Sequence, residues 1–189
     1  MSSKSSYTKS VLNYGHIFQL LVGLYQPKVI VEFGILGGFS LSNFVMAGDS
    51  MKIKPSITAY DIFDKFNGNH ANLEIHEIFK NNENVKILEG DFFETYRDIP
   101  DQSIDILHID IANDGLIYKF AVENYMRKLS PKGIMILEGG SQERDEVEWM
   151  IKYNKPKIQD YLENNLKNGF NYIVMNKFPS VTIISKAEL

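Results

Sequence analysis

The sequence contains no cysteine, which excludes a disulfide framework, a thiolate zinc site and a cysteine nucleophile. Excess positive charge is also lacking, and the net charge of −4 disfavours nucleic acid and acidic membranes as partners. No apolar run approaches the roughly 20 residues of a membrane span, and the polar start MSSKSSYTKS lacks the apolar core of a secretory signal. We therefore expect a soluble cytoplasmic protein that binds neither membranes nor nucleic acid.

Apolar β-branched runs alternate with segments of helical period, and no repeat or linker divides the 189 residues, so the sequence predicts one domain. The predicted strands are Val29–Phe33, Ile57–Asp61, Val85–Glu89, Ile104–Asp110, Ile134–Glu138, Tyr172–Asn176 and Val181–Ser185. The first five are nearly continuous apolar runs, typical of parallel strands that are covered on both faces. The predicted helices are Val11–Tyr25, Ser40–Ala47, Leu73–Lys80, Phe93–Asp98, Leu116–Leu129, Glu143–Tyr153 and Ile158–Asn168. This order predicts an α/β fold with right-handed crossovers.

The last two predicted strands are separated only by residues 177–180, and so short a connection cannot hold a parallel crossover. They are therefore expected to form an antiparallel hairpin at the end of a seven-stranded, mostly parallel sheet. Exposed apolar residues on this hairpin would favour a homodimer.

The stretch KVIVEFGILGGFSLSNFV places a carboxylate, Glu32, at the end of the first strand and a glycine turn behind it. Ligands of open α/β sheets bind outside the carboxyl ends of the strands, where glycine lets backbone N–H groups approach them. The dinucleotide fingerprint G-x-G-x-x-G fails because its second glycine falls on Leu36, which argues against a nicotinamide-dependent oxidoreductase. A carboxylate two residues before Gly34 would repel a pyrophosphate and suits a cation. The alternative to a ligand-binding turn is a strand-to-helix turn with no ligand.

Two further predicted strands end in acids that suit other parts of a nucleoside. Asp61 is placed to accept both hydroxyls of a ribose; helix capping, or Asp64 in its place, is the alternative. Asp91 can accept from an adenine amino group while Phe92 or Phe63 covers the base, and capping is again the alternative. If Asp61 faces solvent in the empty protein, its replacement should weaken ligand binding and leave stability nearly unchanged.

The fourth predicted strand, in SIDILHIDIANDG, carries the richest chemistry. His108 and Asp110 are two apart and share one face of the strand. Asp110, Asn113 and Asp114 crowd its end, and Glu138 ends the neighbouring fifth strand, so these groups are expected to converge on one pocket. A lone buried histidine is more often a core residue than a catalyst. Because Asp110 lies two residues on, a structural role and a catalytic role for His108 are about equally expected.

Together these motifs resemble the class I methyltransferases that use S-adenosylmethionine, from Lys28 to Lys186. The segment ILHIDIANDGLIYKFAVENYMRKLSPKGIMILE is similar to the small-molecule O-methyltransferase-like branch, which commonly shows H-I-D-G-D-H where this sequence has H-I-D-I-A-N. The resemblance implies a Rossmann-like fold with helices on both faces of the sheet. It implies one domain, 1–189, in which residues 1–25 and 64–72 cover the substrate. The implied activity is methyl transfer to a small molecule, at a hydroxyl oxygen; a cofactor-binding scaffold without catalysis is the alternative.

The resemblance also implies a role for individual residues. Glu32 would lie near the methionine part of the cofactor, Asp61 would hold the ribose and Asp91 the adenine. The implied cofactor-binding set is Glu32, Gly34, Gly37, Gly38, Ser40, Asp61, Phe63, Asp91, Phe92 and Asp110. His108 and Asp110 are the candidates for removing the proton of an acceptor hydroxyl. Related enzymes often hold a divalent cation here, with Asp110 and Glu138 as the ligands available in this sequence. Gly139 stands where a further ligand is expected, and Asn113 or Asp114 could replace that ligand only if the loop folds back, so metal-free chemistry is the favoured prediction.

Overall fold

Seven strands form one mixed sheet in the computed structural model, which describes residues 6–10, 12–63, 73–166 and 169–186. The strands are β1 (Val29–Phe33), β2 (Ser56–Asp61), β3 (Val85–Glu89), β4 (Ile104–Ile109), β5 (Leu129–Glu138), β6 (Phe170–Met175) and β7 (Val181–Lys186). Their order is β3-β2-β1-β4-β5-β7-β6. The first five are parallel, and β7 lies antiparallel between β5 and β6. The predicted seven-stranded sheet with a closing antiparallel hairpin is therefore confirmed.

Helices cover both faces of this sheet, as predicted. They are α1 (Tyr14–Tyr25), α2 (Phe39–Ser50), α3 (Leu73–Phe79), α4 (Phe92–Thr95), α5 (Gly115–Tyr125), α6 (Gln142–Asp145), α7 (Glu148–Lys152) and α8 (Ile158–Tyr161). Short 3-10 helices span Ser6–Lys9 and Met126–Lys128, and a π-helical turn spans Leu162–Leu166. One apolar cluster packs α1, α2 and α3 on one face, and a second packs α4, α5 and α8 on the other.

The two clusters explain why the strands read as continuous apolar runs. Ile30 and Ile106 of neighbouring strands point into the α1–α3 cluster, whereas Val31 and Leu107 beside them point into the α4–α8 cluster. Alternate strand residues face opposite sides of a sheet, so a strand buried on both sides is apolar at most positions. Glu32 and His108 are the buried polar exceptions on β1 and β4.

Some elements differ from the prediction. The expectation that the first five strands are covered on both faces is wrong for β3, which lies at the sheet edge and exposes Lys86, Leu88 and Glu89. β5 begins at Leu129, five residues earlier than predicted, because Leu129 pairs with Ile104 across a register shift. The single helix predicted over Glu143–Tyr153 is divided into α6 and α7.

The N-terminal segment that was predicted to cover the substrate packs, in its described part, into the core. Tyr7 is 2% exposed, and its ring contacts those of Tyr14, Phe18 and Phe39. The Tyr14 hydroxyl donates to the carbonyl of Met175 at 3.1 Å and so ties α1 to β6. Residues 1–5 and 11, and the predicted covering loop 64–72, lie outside the described residues. Within the described ranges, no helix combines the length and apolarity that crossing a membrane requires.

Candidate active site

A cavity of about 520 Å³ lies at the carboxyl ends of β1 to β4, and we call it the strand-tip cavity. It is lined by six of the predicted cofactor-binding residues: Gly34, Ser40, Asp61, Asp91, Phe92 and Asp110. The sequence did not single out its apolar and aromatic walls, which include Leu36, Tyr60, Ile62, Phe93, Ile111 and Ile117. A mainly apolar cavity of this size with a few polar groups is typical of a small-molecule site.

Four predicted cofactor-binding residues lie outside these walls. Glu32 is fully buried. Gly38 immediately precedes α2, and a Cβ at this position would lie 3.1 Å from the Ile75 side chain. A Cβ at Gly37 would meet no atom within 4 Å. The Phe63 ring lies 5.9 Å from the His76 ring. The structure therefore brings Asp61, Asp91 and Asp110 together at the cavity, whereas these four residues do not line it.

The Asp61 carboxylate joins the end of β2 to the turn that follows β1. One of its oxygens accepts the N–H groups of Ile35 at 2.8 Å and Leu36 at 3.4 Å, and the other accepts the N–H of Phe63 at 2.8 Å. Asp61 is only 5% exposed, so the expectation that it faces solvent is wrong. The residue both lines the cavity and fixes the shape of its glycine turn.

We expect Asp61→Ala to weaken binding of S-adenosylhomocysteine by about 1.5–3 kcal/mol, the usual worth of hydrogen bonds to a charged group. Because the substitution also leaves three backbone donors without their acceptor, the free energy of unfolding should fall by about 2 kcal/mol or more. Calorimetric titration and urea unfolding measure the two effects. Asp160→Ala, at an exposed acid of α8, is the control. An unfolding free energy equal to that of the control would contradict the anchoring role.

Asp91 and Phe92 occupy the end of β3. The Asp91 carboxylate accepts the N–H of Phe93 at 2.8 Å and caps α4, so the capping alternative is present, and the residue also lines the cavity. Phe92 is 3% exposed and stacks on Tyr125 with ring centroids 5.0 Å apart. The core thus holds the aromatic wall of the cavity in place.

A chain of buried polar groups runs from the glycine turn to the end of β4. The Ser40 hydroxyl donates to Glu32 Oε1, which lies 2.9 Å from His108 Nδ1 on the neighbouring strand. His108 Nε2 lies 3.2 Å from the Tyr7 hydroxyl, and Tyr7 is hydrogen-bonded to Asp110. His108 is fully buried and lines neither this cavity nor the one described next. It is linked to the cavities indirectly, through Tyr7 to Asp110 and through Glu32 to Ser40.

A second cavity, of about 530 Å³, lies beside the end of β5, and we call it the α6–α7 cavity. Its walls hold the polar residues Asp110, Glu138 and Arg144 and the aromatic residues Trp149, Tyr153 and Phe178. Of the four groups expected to converge on one pocket, Asp110 and Glu138 line this cavity, whereas Asn113 and Asp114 do not. Aromatic walls beside charged groups suit a ligand that carries both an apolar body and a polar group.

Arg144 and Glu138 form a buried ion pair in the wall of the α6–α7 cavity. Arg144 Nε donates to Glu138 Oε1 at 2.5 Å and Nη2 donates to Oε2 at 2.9 Å, while Nη2 also lies 3.3 Å from the Asn113 carbonyl oxygen. Burial and the nearby charge of Asp110 raise the pKa of Glu138, and the bidentate contact with Arg144 opposes this rise. Arg144 Nη1 has no hydrogen-bond partner among the residues that the structure describes.

Asp110 lines both cavities, and this is the central feature of the site. Its backbone N–H donates to the Phe33 carbonyl at 2.9 Å, which fixes it at the end of β1 and β4. Burial raises the pKa of Asp110, and the charges of His108 and Arg144 oppose this rise. Ligands in the two cavities would therefore meet at one carboxylate whose proton affinity is higher than usual.

The oxygen donors around Asp110 do not fit a divalent cation, which requires several oxygen ligands directed at one point. Both Glu138 oxygens are engaged by Arg144. The Asn113 side chain binds the backbone of Ile109, Ile111 and Glu138. Asp114 caps α5 and pairs with Lys155 at 3.3 Å. Among the described residues, no group of three or more histidine or acidic side chains is arranged to hold a metal.

Sequence reasoning missed two polar residues of this site, Tyr7 and Arg144. Tyr7 lies in a polar stretch without helical period, so nothing predicted its burial. Arg144 lies in SQERDEVEWM, which has the pattern of an exposed, charged first turn of a helix. Ser141 follows two glycines and is a typical N-cap residue. It could have indicated that a helix begins directly after Glu138, with Arg144 in its first turn.

Comparisons with known proteins agree with this geometry. Residues 31–138, 108 of the 189, match the family described as a methyltransferase domain. The Sinorhizobium fredii protein y4gI is 29% identical over 131 residues, which cover 66% of this chain and 14% of that protein. This chain therefore spans about one-seventh of the length of that curated relative.

Two solved structures share the fold. The Podospora anserina methyltransferase PaMTH1, bound to SAH, has a TM-score of 0.69 and 16% identity, covering 93% of this chain and 79% of its own. The O-methyltransferase TomG of Streptomyces achromogenes, in complex with SAM (S-adenosylmethionine), has a TM-score of 0.64 and 14% identity. The match covers 99% of this chain and 82% of TomG. The sheet order, the strand-tip cavity and the family match over more than half of the sequence lead to one assignment: the chain belongs to the methyltransferase domain family.

Proposed function

We propose that this protein uses S-adenosylmethionine to methylate a hydroxyl oxygen of a small molecule. The observation that carries the proposal is the position of Asp110, which lies in the walls of two adjoining cavities. A methyl donor in the strand-tip cavity and an acceptor in the α6–α7 cavity would meet at this carboxylate. The structures of PaMTH1 with SAH and of the O-methyltransferase TomG with SAM support the choice of cofactor and acceptor atom.

The strand-tip cavity fits this cofactor by its chemistry. Asp61 and Asp91 supply carboxylates for ribose hydroxyls and an adenine amino group, and Phe92 supplies an aromatic wall. Asp110 supplies a negative charge that suits a sulfonium cation. Bound S-adenosylmethionine supplies an electrophilic methyl group whose leaving group is a neutral thioether. The buried Glu32 does not line the cavity; it fixes the positions of Ser40 and His108 through hydrogen bonds.

Asp110 is the proposed general base. In an in-line transfer, the acceptor hydroxyl must be aligned with the methyl group and must lose its proton. Asp110 accepts this proton, while the acceptor oxygen forms the new bond to carbon and the carbon–sulfur electron pair passes to sulfur. His108 is proposed as a positioning residue, because it holds Tyr7, and Tyr7 in turn is hydrogen-bonded to Asp110.

We expect S-adenosylmethionine or S-adenosylhomocysteine to raise the melting temperature, whereas NAD leaves it unchanged. A ligand that binds only the native state stabilises it by RT ln(1 + [L]/Kd). The measurement is thermal unfolding with each ligand, followed by transfer of a labelled methyl group to a panel of hydroxylated acceptors. A shift with NAD alone would favour the oxidoreductase, and cofactor binding without turnover on any acceptor would favour the scaffold.

Two expectations from the sequence stay predictions: a cytoplasmic location and a homodimer. The dimer has some physical support, because β6 is an edge strand and Ile173 on it is 61% exposed. Light scattering on the purified protein decides the oligomeric state.

A further inference from the structure

Two carboxylates and one guanidinium meet in the wall of the α6–α7 cavity: Asp110, Glu138 and Arg144. Glu138 is 3% exposed and Arg144 is 5% exposed, so their contact is shielded from water. The pair is bidentate, with both carboxylate oxygens engaged, which is the strongest geometry for an arginine and an acid. The charge of Arg144 also acts on Asp110. A guanidinium therefore binds one of the two carboxylates that the family resemblance implied as ligands of a divalent cation, and its charge acts on the other.

The surrounding residues fix the position of Arg144. Its backbone N–H donates to the Ser141 hydroxyl at 3.2 Å, which caps α6. The next residue, Asp145, accepts the N–H groups of Ile158 and Gln159, both at 2.9 Å, and so joins α6 to α8. The Arg144 guanidinium lies 5.1 Å from the centre of the Trp149 ring. A charge held in this way needs little reorganisation when a ligand binds or reacts.

We propose that Arg144 is the resident cation of the acceptor site and replaces a metal ion there. Its guanidinium balances the charges of Asp110 and Glu138, and its positive charge stabilises the acceptor oxygen as that oxygen loses its proton to Asp110. The Nη1 atom is the only part of the guanidinium without a partner among the described residues, and buried donors normally have one. This proposal rests on the proposed methyl transfer and adds an anion-stabilising residue to it.

The first test compares metal binding by the wild type and by Arg144→Ala. We expect manganese chloride to leave the melting temperature of the wild type unchanged. In Arg144→Ala the two carboxylates lose their internal cation, so manganese should raise the melting temperature of that variant. This readout needs neither cofactor nor turnover, so it stays informative if the proposed function fails. A manganese-dependent shift in the wild type, or none in the variant, would overturn the proposal.

The second test measures turnover. We expect wild-type activity to survive exhaustive chelation, and Arg144→Met to lower kcat at least 100-fold while the Kd for S-adenosylhomocysteine stays within about threefold. Arg127→Met is the matched control, because Arg127 is exposed and lines neither cavity. Activity that vanishes with chelator and returns with magnesium would overturn the proposal, as would an Arg144→Met variant as active as the control.

A third variant separates an electrostatic role from a structural one. Arg144→Met leaves Glu138 buried without a partner, which can impair folding on its own. The double variant Glu138→Met/Arg144→Met removes both charges of the pair and should fold. We expect it to bind S-adenosylhomocysteine and to remain at least 100-fold impaired in kcat. Recovery of wild-type kcat in this double variant would show that the pair is only structural and would overturn the proposal.

Discussion

Replacing Asp110 by Asn is expected to lower the rate of methyl transfer by about 10²–10⁴-fold, the usual contribution of a general base. The amide has nearly the same shape but cannot accept a proton from the acceptor hydroxyl. Binding of S-adenosylhomocysteine, a neutral thioether, should change much less than kcat. Wild-type activity should also fall at acid pH, because Asp110 must be ionised to act and burial raises its pKa.

The control for this experiment lies on the same strand. Asp105, at the opposite end of β4, accepts the backbone N–H groups of Lys28 at 2.7 Å and Val29 at 3.0 Å. Asp105→Asn should therefore lower the melting temperature without lowering kcat. An Asp110→Asn enzyme that retains more than a tenth of wild-type kcat would remove Asp110 from the role of base.

Replacing Gly34 by Ala is expected to destroy the strand-tip cavity. A Cβ at this position would lie 2.0 Å from the carbonyl oxygen of Asp110, and the φ angle of Gly34 is +88°, a region that favours glycine. Either the turn or the end of β4 must move, and both form walls of the strand-tip cavity. We expect the free energy of unfolding to fall by about 3 kcal/mol or more, and binding of S-adenosylhomocysteine to be lost.

Gly37, in the same turn, provides the matched control. A Cβ there would meet no atom within 4 Å, and its φ angle is not positive. Gly37→Ala should fold and bind S-adenosylhomocysteine like the wild type. Chemical denaturation and calorimetric titration of both variants make the comparison. Equal effects at the two glycines would show that the crowding at Asp110 does not control the turn.

The strand positions could be predicted because burial on both faces leaves a clear sequence pattern. Val29–Phe33 is identical in prediction and structure, since all its residues except Glu32 pack into one apolar cluster or the other. Edge position was missed at Val85–Glu89, which was interpreted as an apolar run although it contains Lys86 and ends in Glu89. In the structure β3 has a neighbouring strand on one side only. The extension of β5 to Leu129 depends on pairing with Ile104, which no local pattern encodes.

The site could be predicted only where chemistry follows directly from position. Acids that end parallel strands must lie at one edge of the sheet, so Asp61, Asp91 and Asp110 were expected to line one cavity, and they do. The partners of buried charges could not be predicted. Arg144 lies six residues beyond Glu138, and only the folded turn of α6 directs its guanidinium back to that carboxylate. Tyr7 reaches His108 across 101 residues of sequence.

The elements that lie outside the family segment have a practical consequence for engineering this protein. The segment shared with the family, 31–138, contains the strand-tip acids, but it omits α1, which covers His108 with Phe18, and β7, which pairs with β5. A fragment trimmed to these limits would expose the Glu32–His108 contact to water and leave β5 as an unpaired apolar edge, a template for aggregation. Transplanting this site into another scaffold therefore requires the chain from the first 3-10 helix to β7.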